Sequence, residues 1–153
     1  MPVDARPDLT LCHCLAVRQA ARHVTRFYDQ FLAPSGLRTT QFSILAKLRR
    51  AGSETITTLA RDLVMDRTTL GRNLRPLERE GLIAIGKGSV DQRSREVRLT
   101  EAGAARLRAG IARWIEAQGG FETVFGNRRS SSLRALLSAV SAVDFGAASA
   151  DMS

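Results

Sequence analysis

The chain is predicted to be mainly α-helical with one small β-hairpin, and three observations predict it. Apolar residues recur at helical spacing, as at Leu11, Leu15, Val24, Phe27 and Phe31. Glycines, prolines and capping residues cut these runs into helix-sized pieces. Only "LIAI" and "EVRL", separated by a glycine-rich charged stretch, read as strands.

Taken in order, the spacing predicts a long amphipathic helix from Asp8 to Ala33, broken by "APSGL". A second helix follows from Thr40 to Arg50, with Phe42, Leu45 and Leu48 inward and Gly52 at its end. A third, Thr57 to Val64, turns Leu59, Ala60 and Leu63 inward. Asp66 is a good N-cap for a fourth, which Gly81 would close. The hairpin then carries a long tip, Lys87 to Arg95. Thr100 caps a helix from Glu101 to Gln118, with an interruption expected at Gly119–Gly120, and a last helix spans Arg129 to Val143. The small, polar "GAASADMS" is expected to fray. The predicted order is α-α-α-α-β-β-α-α, in three parts: an N-terminal helix over 1–38, a central unit over 39–100, and C-terminal helices with a tail over 101–153.

With 153 residues, 44% hydrophobic, the chain has enough apolar material for one packed core. Its formal net charge is +8, which favours an anionic partner, nucleic acid before membrane surface. The opening "MPVDARPDLT" has no apolar core, so a signal peptide is not expected. Nowhere do enough apolar residues run together for a transmembrane helix. Two cysteines without an export signal suit a reducing, cytoplasmic setting.

The segment "DRTTLGRNLRPLEREGL" carries the main functional signal. On a helix, Leu70, Leu74 and Leu77 fall within about 60° of one another. Thr68, Arg72, Arg75 and Arg79 cluster on the opposite side, also within about 60°. Solvated helices often carry arginine opposite leucine, and Glu78 and Glu80 are available to pair some of these cations. The preceding short helix and the tight turn "VMD" favour a different reading, a helix-turn-helix. In such a unit the second helix enters the DNA major groove by its N-terminal part. Thr68, Thr69 and Arg72 would then face base edges, while Arg67, Arg75 and Arg79 would meet phosphates. Pro76 is expected to bend this helix near Arg72, beyond its base-reading part.

The tip "GKGSVDQRSR" agrees with that reading. Its glycines are expected to make it mobile, and Lys87, Arg93 and Arg95 make it cationic. An arginine on a thin loop suits the minor groove, where negative potential is concentrated. Asp91 would be repelled by phosphate, so a structural role is expected for it: holding an arginine guanidinium in place. A merely solubilising hairpin is the plain alternative. Between Phe42 and Trp114 there is no aromatic residue. That disfavours single-strand readers, which stack bases on aromatics, and membrane-surface binding, which uses Trp or Phe.

The run "TTLARDLVMDRTTLGRNLRPLEREGLIAIGKGSVDQRSREVRLTEAG" resembles the winged helix-turn-helix of the MarR family of bacterial transcription regulators. Its most specific part is the D-x-R wing, Asp91 and Arg93, followed by "LTEAG", Leu99 to Gly103. The resemblance covers nearly the whole chain. It implies a homodimer with interlocked terminal helices that binds a pseudo-palindromic operator in double-stranded DNA. It also implies a repressor released by a small ligand or by thiol oxidation. Dimerisation also follows from the residues, because the long first helix and the last two would otherwise leave apolar faces exposed.

Cys12 and Cys14 stand two residues apart in "LCHCLAVR". On one helix they would point about 160° apart and would need local unwinding to bridge. Cys12-His13-Cys14 is a poor metal site for the same reason, and no metal or other cofactor is expected. The first helix further resembles that of the organic hydroperoxide repressors within the family. That resemblance places Cys14 at their peroxide-reactive cysteine and Tyr28 at one of two tyrosines that hydrogen-bond it. Thr39 stands where the second tyrosine would be. Tyr28 lies about 21 Å along the helix from Cys14, so the two would meet only across a dimer. Free cysteine is also a common packing residue, and that reading stands beside the redox one. With no nucleophile–base–orienter set, no phosphate loop and no metal cluster, an enzyme is not expected. A thiol peroxidase using Cys14 is the alternative from another class.

Overall fold

The structure is a computed structural model and describes residues 6–146. Apart from Gly146, the tail expected to fray lies outside the described residues. A 3-10 turn at Leu9–Leu11 precedes α1 (His13–Leu32). The first helix therefore starts later than its periodicity suggests. Asp8 is spent on the separate turn, accepting the Thr10 amide at 3.0 Å and the Thr10 hydroxyl at 2.6 Å. Cys12 is extended (φ −78°, ψ 107°) and caps α1, its sulfur accepting the Leu15 amide at 3.4 Å.

Then follow α2 (Thr39–Ala51), β1 (Ser53–Thr55), α3 (Ile56–Asp62), α4 (Arg67–Arg79), β2 (Ile83–Lys87), β3 (Arg95–Leu99), α5 (Glu101–Phe125) and α6 (Asn127–Ala142). The fold is thus mainly helical with a small antiparallel sheet in the order β1-β3-β2. Ser53 pairs with Arg98 on one side of β3, and Ile85 pairs with Val97 on the other. The strand β1 was not expected. It is three residues of polar sequence, held by a partner more than forty positions away, so periodicity has nothing to register.

One core joins these elements. Leu32, Ile44, Leu45, Leu48, Leu59, Leu70, Leu77 and Val97 are completely hidden from solvent. Full burial of each such side chain is worth about 1.5–3 kcal/mol. The helix α5 lies across this core on small residues. A side chain at Gly103 would collide with the Leu82 carbonyl, and one at Gly110 would come within 3.1 Å of Leu37 and Phe42.

The expected interruption at Gly119–Gly120 is absent. α5 runs through both glycines and ends at Gly126, where φ reaches +98°. A helical glycine costs about 1 kcal/mol relative to alanine. Packing outweighs that cost, since the rings of Phe27 and Phe31 lie 3.4 and 3.7 Å from where a Gly120 Cβ would stand. Beyond the core the picture changes: the first half of α1 and most of α6 are exposed, including Val17, Leu136, Leu137 and Val140. Among the described residues, no helix is long and apolar enough to cross a membrane.

Candidate nucleic-acid interface

The helix α3 is capped by the Thr55 hydroxyl, which accepts the Thr58 amide at 3.1 Å. Its last turn closes through the Met65 amide, which donates to the Ala60 carbonyl at 2.9 Å. Val64 takes φ +53° there, a strained setting for a branched residue that completes the tight turn. Asp66 then caps α4, its carboxylate accepting the Thr69 amide and the Thr69 hydroxyl, both at 2.7 Å. The amide bond first, and the hydroxyl bond with it, hold the Asp66 carboxyl below its ordinary value.

α4 divides as its spacing predicts. Leu70, Leu74 and Leu77 are buried, and Arg67, Thr68, Thr69, Arg72, Arg75 and Arg79 are exposed. Glu80 does not neutralise that face, because it pairs with Arg106 on α5 at 3.4 Å. Among the described residues, no carboxylate forms an ion pair with Arg67, Arg72, Arg75 or Arg79, nor with Lys87, Arg93 or Arg95. The cationic flank thus stands open to a partner. Thr69 is committed to the cap, so Thr68 is the threonine with an unengaged hydroxyl on this turn. The helix continues through Pro76, and the Glu80 amide still donates to the Pro76 carbonyl at 3.0 Å.

The wing departs from expectation in two respects. Gly88 is buried, and a side chain there would strike Ser94 and the Asp91 carbonyl, so this glycine permits close packing rather than mobility. The Gly88 amide donates to the Ser94 carbonyl at 2.9 Å, and the Ser94 hydroxyl donates to the Asp91 carbonyl at 2.7 Å. Asp91 is structural, but its carboxylate accepts the Arg93 backbone amide at 2.9 Å and holds no guanidinium. The short local bond closes an Asx-type turn and leaves the Arg93 side chain projecting.

Sequence reasoning missed Glu96. This carboxylate is almost hidden and accepts the Ser53 hydroxyl at 2.7 Å and the Ser89 amide at 3.1 Å. The Ser53 bond is the main influence holding its carboxyl below the usual value. In sequence it is one more charge in a strand flanked by arginines, with nothing to mark its burial.

Cys14 is exposed on the first turn of α1, and Cys12 is half-buried just outside it. Cys12 therefore stands outside the helix, and the divergence expected of two residues on one helix does not apply to this pair. Tyr28 lies within the α1–α5 packing and donates its hydroxyl to Gln118. Burial raises its pKa, nearby Glu122 adds to the rise, and Arg134 opposes it. Thr39 donates its amide and its hydroxyl to Asp29, both at 2.7 Å. Among the described residues, no cluster of His, Cys, Asp or Glu is arranged to hold a metal ion.

A buried-leucine, exposed-arginine helix after a tight turn, followed by a hairpin with an ordered cationic tip, defines a winged helix-turn-helix. Comparison with known proteins gives the family. The MarR family model matches residues 37–94. The transcriptional regulator MosR of M. tuberculosis, solved in complex with DNA, is 35% identical, with 86% of this chain and 97% of that one covered and a TM-score of 0.73. The HTH-type transcriptional regulator PecS of Dickeya dadantii (strain 3937) is 28% identical over 143 residues, covering 90% of this chain and 86% of the relative. A mutant MarR from E. coli complexed with operator DNA shares the fold, with a TM-score of 0.77 at 22% identity over 88% of this chain and 99% of that one. The chain belongs to the MarR family of DNA-binding transcriptional regulators.

Proposed function

We propose that the protein is a cytoplasmic, homodimeric, sequence-specific repressor that binds a pseudo-palindromic site in double-stranded DNA. The observation that carries this reading is the unpaired cationic face of α4 beside the wing. In it, Thr68 and Arg72 read bases, Arg67 and Arg75 hold phosphates with Thr69 contributing its methyl group, and Arg93 enters the minor groove between Lys87 and Arg95. Dimerisation is supported by surface area. The terminal helices leave an excess of apolar surface exposed, at Val17 of α1 and at Leu136, Leu137 and Val140 of α6. Two copies sharing their terminal helices bury part of that excess and space two α4 helices about one duplex turn apart. Mobility shifts with DNA from upstream of the protein's own gene test the reading. Arg72→Ala and Arg93→Ala are each expected to cost about 1–3 kcal/mol of binding, and affinity to fall steeply with salt. Indifference to both substitutions would defeat it.

Release follows one of two chemistries. A small ligand is favoured by a cavity of about 590 Å³ between α1, α2, α5 and α6. The Ser130 hydroxyl lines it, buried and without a hydrogen-bond partner among the described residues. Oxidation is favoured by the exposure of Cys14 beside Cys12 at the start of α1. Peroxide is expected to weaken DNA binding in the wild type and not in Cys14→Ser. Equal response of both proteins removes Cys14 as the sensor, and catalytic turnover of peroxide with a reductant would instead make the protein an enzyme.

A further inference from the structure

We propose that Glu96 is a positioning residue for DNA binding: its carboxylate fastens the wing to β1 and so sets where Arg93 meets the duplex. The inference rests on the reading of the wing as a DNA contact.

Glu96 stands on the central strand, opposite Thr55 of β1 and Gly86 of β2. Its two oxygens reach both ways. Oε1 accepts the Ser53 hydroxyl at 2.7 Å, on the body of the domain. Oε2 accepts the Ser89 amide at 3.1 Å, on the rising limb of the wing, and the Ser89 hydroxyl adds a longer bond to Oε1 at 3.4 Å. The Arg98 guanidinium lies 3.4 Å away on a mostly exposed side chain, so it screens the carboxylate more than it orients it.

A carboxylate near phosphates opposes binding, yet this one is only 8% exposed and its oxygens are engaged. Its value lies in what it holds. The tip closes on itself through the bonds of Gly88, Asp91, Arg93 and Ser94, so it moves as a unit about its root. At that root Lys87 faces Arg95 across the strands, a like-charge pair that loosens the ladder. The Ser53–Glu96–Ser89 link holds the unit against that loosening.

The test uses the full chain, a duplex from its own upstream region, and the variants Glu96→Gln, Ser53→Ala and Arg93→Ala, singly and combined. Glutamine keeps the volume but removes the charge: its oxygen can accept the Ser89 amide only if its NH2 turns to donate to the Ser53 hydroxyl, so neutral bonds replace charge-assisted ones. Glu96→Gln is expected to weaken binding about 3- to 10-fold, the effect of two charge-assisted hydrogen bonds made neutral, and to flatten the salt dependence as Arg93→Ala does. In the Arg93→Ala background it is expected to cost nothing further. Ser53→Ala, which leaves wing and carboxylate in place, is expected to weaken binding in the same direction, and it carries the test if Glu96→Gln fails to fold. Additive losses in the double variant would overturn the positioning role. So would unchanged affinity in Glu96→Gln and Ser53→Ala while Arg93→Ala weakens binding. If Arg93→Ala itself changes nothing, the wing reading falls and this inference falls with it.

Discussion

Asp66 organises the DNA-facing turn with a single carboxylate, engaging both the amide and the hydroxyl of Thr69. Those bonds are strongest while the group is ionised, and its folded pKa lies below the ordinary 3.8. A group with a depressed folded value stabilises the fold above its unfolded value and loses that contribution as pH falls through the folded one. Wild type is therefore expected to melt above Asp66→Ala at neutral pH, with the gap closing as pH drops below 3.8, measured by thermal denaturation across pH. Leu74, on the opposite face, is 2% exposed, and Leu74→Ala is expected to destabilise by about 2–5 kcal/mol in chemical denaturation. Both roles were legible in the sequence, since cap chemistry and helical spacing are local. Cys12 and Glu96 were not. Leu9 and Leu11 continue the apolar spacing of α1 into a separate turn, and the burial of Glu96 depends on Ser53, 43 positions away.

Among the elements, α5 illustrates how one residue type serves opposite ends. Gly103 lies against the Leu82 carbonyl and the Leu99 side chain, while nothing stands within 4 Å of an added Cβ at Gly119. Gly103→Ala is expected to destabilise by about 1–3 kcal/mol as the helix is pushed off the hairpin. Gly119→Ala is expected to stabilise by roughly 1 kcal/mol, because only the helical cost of glycine is removed. Urea unfolding of the two variants checks the opposite signs. The sequence shows two adjacent glycines as a helix break because intrinsic propensity argues for one. The aromatic contacts of Phe27 and Phe31 that overrule it come from another helix and leave no mark nearby. The strand β1 was missed for the same reason, since its pairing is wholly non-local.

On the scale of the whole molecule, the apolar residues left uncovered on α6 are the surface that the proposed second copy would cover. Leu136→Asp is expected to convert the proposed dimer to monomer in sedimentation and to cost about 100-fold or more in DNA affinity, since the two half-sites would no longer be engaged together. An unchanged sedimentation coefficient would place the contact elsewhere. The unbroken course of α5 links that assembly surface to the DNA-facing one. At 25 residues it is a rod about 37 Å long, anchored on the hairpin root at Gly103 and meeting α6 at Gly126. With no joint between its ends it behaves as a lever. A tilt of about 5° at the α6 end sweeps the other end through about 3 Å, close to the spacing of successive base pairs. Under either release chemistry proposed above, a slight rotation at the helical end would suffice to shift the hairpin root by one rung of the duplex.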